Sequence, residues 1–198
     1  MRDPTHVQPG VSGVPNTPLW LVFAFVVAYI AVALPSLHVA GIPAESVVST
    51  AILGVILVAL SCIDLQCFRL PDALTIPLIA LGLIFTAVFE WDDLWLRVAA
   101  AGLGYAALYL VAAAYLRTRG QPGLGLGDAK LFAATGAWLG IEGLPSVLLI
   151  ASLMALTWAS GAQLRGQPVT ATTRIAFGPF LAFATWIVWL YGPVMFGL

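Results

Sequence analysis

The stretch VVSTAILGVILVALSCID, residues 47–64, is an apolar run that ends on an aspartate. A helix needs about 20 consecutive, mostly apolar residues to cross about 30 Å of hydrocarbon. Runs of similar length recur along the chain, in which 61% of the 198 residues are hydrophobic and 9% are charged. A soluble domain is roughly 45–50% apolar, so the runs predict an all-α integral membrane protein.

The apolar runs predict a polytopic bundle of about seven transmembrane helices. They lie at residues 18–37, 46–63, 73–89, 94–116, 129–141, 144–163 and 175–196. Residues 1–17 form a polar N-terminal tail, and residues 18–198 form one membrane domain. The fifth run would rise only about 18 Å as a helix, so we expect its start to lie in a water-filled dip below the membrane surface.

The charged residues fix the predicted orientation. Lys and Arg in short loops stay on the cytoplasmic side of a membrane. With seven crossings, one side receives seven of the eight basic residues: Arg2, Arg69, Arg117, Arg119, Lys130, Arg165 and Arg174. The other side receives Arg97 with the acidic residues Glu45, Glu90, Asp92, Asp93 and Glu142. The N-terminal tail and the loops at 64–72 and 117–130 are therefore predicted to be cytoplasmic.

Two aspartates on the cytoplasmic side are the candidate catalytic residues. An ionisable side chain at the centre of a membrane helix costs roughly 2.5–3.5 kcal/mol on insertion scales, so it calls for a functional or pairing role. Asp64 closes the second predicted helix and Asp128 opens the fifth. Two carboxyl groups at one depth could share a proton and hydrolyse a peptide without a metal. The alternatives are that both mark helix ends at the interface, or that they bind protons or cations in a transporter or scaffold.

Four further residues are candidate supporting residues. Gly125 and Gly127 precede Asp128 in an alternating glycine pattern that leaves the backbone open and free to adopt positive φ, so a substrate strand could approach. Asp72 follows a proline and is expected to cap the third helix, with a supporting catalytic role as the alternative. Lys130 is expected to extend to the interface, or to favour the ionised form of Asp128.

Several other functions lack the residues they require. The net charge of −1 and the scattered basic residues exclude a nucleic-acid partner, since phosphate binding needs a basic surface. The two cysteines, Cys62 and Cys67, are too few and wrongly spaced for a zinc site. No His-Glu-x-x-His is present, and the two histidines, His6 and His38, lie far from the aspartates, so neither a zinc nor a Ser-His protease is expected. We expect no cofactor and no metal.

Several blocks of the sequence, taken together, resemble a known family. They are Asp64-Leu65, residues 70–75 (LPDALT), residues 125–131 (GLGDAKL), residues 136–140 (GAWLG) and residues 177–180 (FGPF). In this order, over residues 47–185, they are similar to the type IV prepilin peptidases, a Gly-x-Gly-Asp aspartic protease family. The signal peptide peptidases are a weaker match because their Tyr-Asp and Pro-Ala-Leu motifs are missing.

The resemblance implies a function and places the catalytic pair on Asp64 and Asp128. It implies cleavage of the short leader from type IV prepilins or pseudopilins at the cytoplasmic face of the bacterial inner membrane. Many relatives also methylate the new N-terminus and carry a domain with two Cys-x-x-Cys pairs. With two cysteines in this chain, we expect peptidase activity without methyltransferase activity. The sequence does not decide the particular pilin substrate or the oligomeric state.

Overall fold

The computed structural model describes residues 24, 26–33, 44–120, 123–166 and 175–193. Every regular element within these residues is helical. The predicted tail at 1–17 and most of the predicted first helix at 18–37 lie outside them. The elements are α1 (26–33), α2 (Ala44–Cys67), α3 (Asp72–Phe89), a 3₁₀ turn (Trp91–Asp93), α4 (Leu94–Arg119), α5 (Leu126–Leu164) and α6 (Gly178–Tyr191).

Length and composition identify four membrane-spanning candidates among the described helices, namely α2 to α5. The last helix, α6, is apolar but shorter. Large apolar side chains lie exposed along α4, including Leu103, Leu110 and Val111, as expected of a surface that faces lipid. The chain is a multi-pass, all-α membrane protein, which confirms that part of the sequence prediction, while the count of seven crossings stays a prediction.

The helix α5 is broken at Gly140, where the backbone has φ 74° and ψ −174°. A Cβ placed on Gly104 would lie 2.7 Å from the Phe132 carbonyl oxygen and 3.4 Å from Leu144 Cδ2. A straight helix would separate residues 132 and 144 by about 18 Å, so the chain must fold back at Gly140. The two segments, 126–139 and 141–164, correspond to the separate fifth and sixth helices predicted from the sequence.

The segment 126–139 is the most enclosed part of the molecule. From Leu131 to Trp138 every residue is buried. It packs antiparallel to α4 at close range, because Gly136 lies against the Ala100 backbone. The Trp138 indole N–H donates to the Leu78 carbonyl of α3 at 2.8 Å. Arg97 donates to the Trp138 carbonyl at the segment's C-terminal end, which satisfies one of the carbonyls that a helix end leaves unpaired.

The last helix joins this enclosed segment to α2 and α1. Thr185 of α6 and Thr135 of α5 form a buried hydrogen bond of 2.8 Å. On the other side of α6, the Trp186 indole N–H donates to the Tyr29 carbonyl of α1 at 3.1 Å. The Trp186 ring also lies against Gly54 of α2. The helix α6 is therefore fixed between α5 and the first two helices.

Two helix ends differ most from their predicted positions. The helix α2 continues to Cys67 rather than ending at residue 63, and Phe68 beyond it takes a left-handed conformation with φ 49°. The helix α6 ends at Tyr191 rather than at residue 196, because Gly192, with φ 84°, and Pro193 follow it. A left-handed glycine followed by proline is a common helix stop.

Candidate active site

A cavity of about 230 Å³ lies where the end of α2 and the residues just after it meet the start of α5. Its lining combines two carboxyl groups with apolar side chains and glycine backbone. The lining residues are Asp64, Phe68, Arg69, Leu70, Gly125, Leu126, Gly127 and Asp128. The structure thus brings Asp64 and Asp128 to one cavity, although they are 64 positions apart in the sequence.

Asp64 lies in the last turn of α2 and is 5% exposed. Its carboxyl group accepts a hydrogen bond from the backbone N–H of Gly178, the first residue of α6. Its Oδ2 atom is buried and has no hydrogen-bond partner among the described residues. A buried carboxyl oxygen without a partner is costly, so its presence calls for an explanation such as a catalytic role.

Asp128 lies in the first turn of α5 and is 8% exposed. Its carboxyl group accepts a hydrogen bond from the backbone N–H of Gly125, the N-cap residue of the same helix. This is the contact that an acidic residue makes at the third position of a capping box. Asp128 is also close enough to Asp64 for the two charges to repel each other. Each carboxyl group is therefore held by the N-terminal end of a helix, which favours negative charge.

None of the three glycines before Asp128 has positive φ, and close packing instead requires Gly123 and Gly127, which corrects the sequence interpretation. Gly125 has φ −75°, and neither Gly123 nor Gly127 is among the positive-φ glycines. A Cβ on Gly127 would lie 2.8 Å from Leu70 Cβ, and one on Gly123 would lie 2.4 Å from the Tyr115 ring. The glycines let the loop that leads into α5 lie directly on Leu70 and on α4.

Asp72 and Lys130 form an ion pair, which differs from the predicted role of Asp72. The N-cap of α3 is Pro71, and Asp72 is the first residue of the helix, with no side-chain cap. The Lys130 ammonium donates to Asp72 Oδ1 at 2.5 Å, with both side chains partly exposed. Neither residue lines the cavity. The pair joins the start of α3 to the first turn of α5 beside the site.

Four lining residues were not predicted from the sequence: Phe68, Arg69, Leu70 and Leu126. Leu70 is the most enclosed of them, at 9% exposed, and it contacts Gly127 and the position of a Cβ on Gly178. Leu70 begins the block at residues 70–75 that resembles the family, and this position in the sequence could have indicated a role in the site. Among the described residues, no three His, Cys, Asp or Glu side chains cluster as metal ligands would.

The family assignment comes from a family model that matches residues 51–160, which include both aspartates, the cavity loop and the Gly140 break. The chain belongs to the type IV leader peptidase family. The matched residues run from the middle of α2 to near the end of α5. The apolar helices and this family together support a multi-pass setting in a membrane.

Several curated relatives of the leader peptidase family are about 40% identical to the chain. A prepilin leader peptidase/N-methyltransferase of Aeromonas salmonicida is 40% identical over 150 residues, which is 76% of this chain and 51% of the relative. The protein of the same name from Escherichia coli K12 is 46% identical over 128 residues, which is 65% of this chain and 56% of the relative. The chain thus spans about half the length of these relatives. No solved structure matches it.

Proposed function

We propose that the chain is an aspartic endopeptidase that removes the N-terminal leader from type IV prepilins or pseudopilins, with Asp64 and Asp128 as its catalytic pair. The observation that carries the proposal is that two buried carboxyl groups, on different helices, line one cavity in a member of a leader peptidase family. The relatives are named for prepilin cleavage. Gly125, Gly127, Asp72 and Lys130 support the pair by shaping the start of α5.

The chemistry of such a pair needs one protonated and one ionised carboxyl group. The ionised group accepts a proton from a water molecule, whose oxygen attacks the carbonyl carbon of the scissile peptide bond. The protonated group donates its proton to the carbonyl oxygen, which gives a tetrahedral diol. When the C–N bond breaks, the nitrogen takes up a proton and leaves as the new N-terminal amine. The other product keeps the carboxyl group, and the two aspartates again hold one proton between them.

The cavity offers a peptide both a place for its backbone and an apolar surface. A Cβ placed on Gly125 would have only Asp128 and the Gly127 nitrogen within 4 Å. The extended backbone of a substrate can therefore lie against Gly125. Phe68 and Leu126 are partly exposed at the same cavity, at 39% and 55%. These side chains suit a substrate in which the scissile bond precedes an apolar helix, as it does in a prepilin.

The charge pattern supports an orientation in which the cavity opens to the cytoplasm. Arg69 lines the cavity, Lys130 lies in the first turn of α5, and Arg117 and Arg119 lie in the last turn of α4. Basic residues in short connections are retained on the cytoplasmic side. We therefore propose that the chain lies in the bacterial inner membrane and acts on prepilins before they cross it.

The test is cleavage of a synthetic prepilin peptide, comprising the leader and the first apolar segment, by purified protein in detergent micelles, followed by mass spectrometry. We expect Asp64→Asn and Asp128→Asn to slow cleavage by about 10²- to 10⁴-fold. Asp93→Asn is the matched control, because this exposed aspartate precedes α4 and makes no side-chain cap, and it should cleave at the wild-type rate.

The competing function is a transporter or scaffold in which the two aspartates bind protons or cations. Wild-type cleavage by either active-site variant would contradict the peptidase proposal and favour that function. With a methyl donor added to the reaction, the same spectra report whether the new N-terminus carries a methyl group, and we expect none.

A further inference from the structure

We propose that the start of α6 is part of the active site, with Gly178 as the residue that positions Asp64. This inference rests on the proposed function and adds a third helix to the two that carry the aspartates. The backbone N–H of Gly178 donates to the Asp64 carboxyl group. The partners are 114 positions apart, from 64 to 178, so this contact forms only when α6 is packed in place.

The local sequence suits this contact. Gly178 is the first residue of α6, and Pro179 follows it. Proline has no N–H and fixes its own φ near −65°, so it restricts the helix start and offers Asp64 no donor of its own beside the Gly178 N–H. Pro179 is fully buried. A helix start also carries partial positive charge, which stabilises a carboxylate held against it.

The approach of Gly178 to Asp64 leaves no space for a side chain. A Cβ on Gly178 would lie 2.6 Å from Asp64 Oδ2 and 3.1 Å from Asp64 Cγ. Ordinary contact begins at 3.4 Å, so the carboxyl group would have to move by about 0.8 Å. Oδ2 is the atom that has no partner among the described residues, so the displaced atom belongs to the carboxyl group to which we assign catalysis.

A buried pair of threonines holds α6 beside α5. Thr135 lies seven residues after Asp128, and Thr185 lies seven residues after Gly178. Their hydroxyl oxygens are 2.8 Å apart, and both side chains are 1% exposed. Seven residues are about two helical turns, or about 10 Å, so the two helices run side by side with their starts level. The threonines thereby fix Gly178, and with it Asp64, relative to Asp128.

Glycine at position 178 could serve the packing of the protein alone, and this role has to be distinguished from the positioning of Asp64. A Cβ there would also lie 3.2 Å from Leu70 Cδ1, so the residue could be small only to accommodate Leu70. If that were the whole reason, Leu70→Ala would relieve the effect of Gly178→Ala. If the contact with Asp64 is the reason, the loss should persist in the Leu70→Ala background.

The experiment measures kcat and KM for the synthetic prepilin peptide with Gly178→Ala, with Leu70→Ala and with the double variant. We expect Gly178→Ala to lower kcat by about 100-fold, the effect of a misplacement of about 1 Å, with KM within about threefold. The double variant should show the same loss relative to Leu70→Ala. Gly161→Ala is the matched control, because nothing lies within 4 Å of its Cβ position, and it should keep the wild-type kcat.

A second measurement removes the hydrogen bond from Gly178 to Asp64 without adding a side chain. It tests the positioning role even if Gly178→Ala does not fold. Replacing the Gly178 N–H by an ester oxygen through a backbone ester should lower kcat by about 10- to 100-fold, as for a lost hydrogen bond to a charged group. Wild-type kcat in this ester variant, or full relief of Gly178→Ala by Leu70→Ala, would overturn the inference. Cleavage by Asp64→Asn would instead overturn the proposed function itself.

Discussion

Gly136→Ala tests how closely α4 and α5 pack. A Cβ on Gly136 would lie 2.4 Å from the Ala100 carbonyl oxygen, 2.6 Å from the Ala100 carbonyl carbon and 2.8 Å from the Ala101 nitrogen. All three atoms belong to the backbone of a helix, so no side chain can rotate away. Moving them to 3.4 Å requires the two helices to separate by about 1 Å.

The expected cost follows from two opposing effects. Extra volume in a well-packed interior costs about 1–3 kcal/mol, and we take the upper value because only backbone can yield. Replacing glycine by alanine inside a helix returns about 1 kcal/mol. The net prediction for Gly136→Ala is a loss of about 2 kcal/mol in the free energy of unfolding.

Gly102→Ala is the matched control on the facing helix. Gly102 is exposed, and nothing lies within 4 Å of its Cβ position, so only the helix preference of alanine remains. This variant should gain up to about 1 kcal/mol. The two variants then differ by about 3 kcal/mol, or roughly 6–12 °C in Tm for a chain of this size.

The assay is thermal unfolding of each variant in the same detergent, followed by circular dichroism at a helical wavelength and by the near-ultraviolet signal of the tryptophans. We expect Gly136→Ala to melt below the wild type and Gly102→Ala at or above it. Equal Tm values for the two variants, or a higher Tm for Gly136→Ala, would refute the close backbone packing described between α4 and α5.

Two smaller predictions concern ion pairs. Arg97→Met should lower the free energy of unfolding by about 1–2 kcal/mol, since it removes a bond to the Trp138 carbonyl and the pair with Glu90. Arg119→Met is its control, and an equal Tm for both would contradict the capping role. Asp72→Asn should cost at most about 1 kcal/mol, because its pair with Lys130 is partly exposed. A larger loss in denaturant melts would show a deeper structural role for this pair.

The sequence was sufficient for α2, α3 and α4 because each of their apolar runs matches the thickness of a bilayer. It also anticipated that residues 129–163 form two helices, although the break lies at Gly140 rather than in a loop at 142–143. The sequence could not show which glycines lie against a neighbouring helix. Gly102 and Gly104 stand two residues apart in α4, yet Gly104 faces the Phe132 carbonyl while Gly102 faces outward. That difference depends on the rotation of α4 against its neighbour.

For the site, the sequence indicated the two aspartates because charge in an apolar chain is rare. Their roles remain a prediction, although the structure places both on one cavity. The contact of Gly178 with Asp64 could not be foreseen, because it joins residues on different helices through a backbone atom. The capping role of Asp72 was predicted wrongly because an aspartate at a helix start suits both a cap and an ion pair. Only the position of Lys130 distinguishes them.

The enclosure of the segment 126–139 has a consequence for how the protein is made. This segment carries Asp128, is too short to span a bilayer alone, and is surrounded by helices that precede it and helices that follow it. During synthesis its later neighbours, the 141–164 segment and then α6, are made after it. Closure of the bundle around this segment therefore waits for α6, and the two carboxylates acquire their finished surroundings only after α6 has been made.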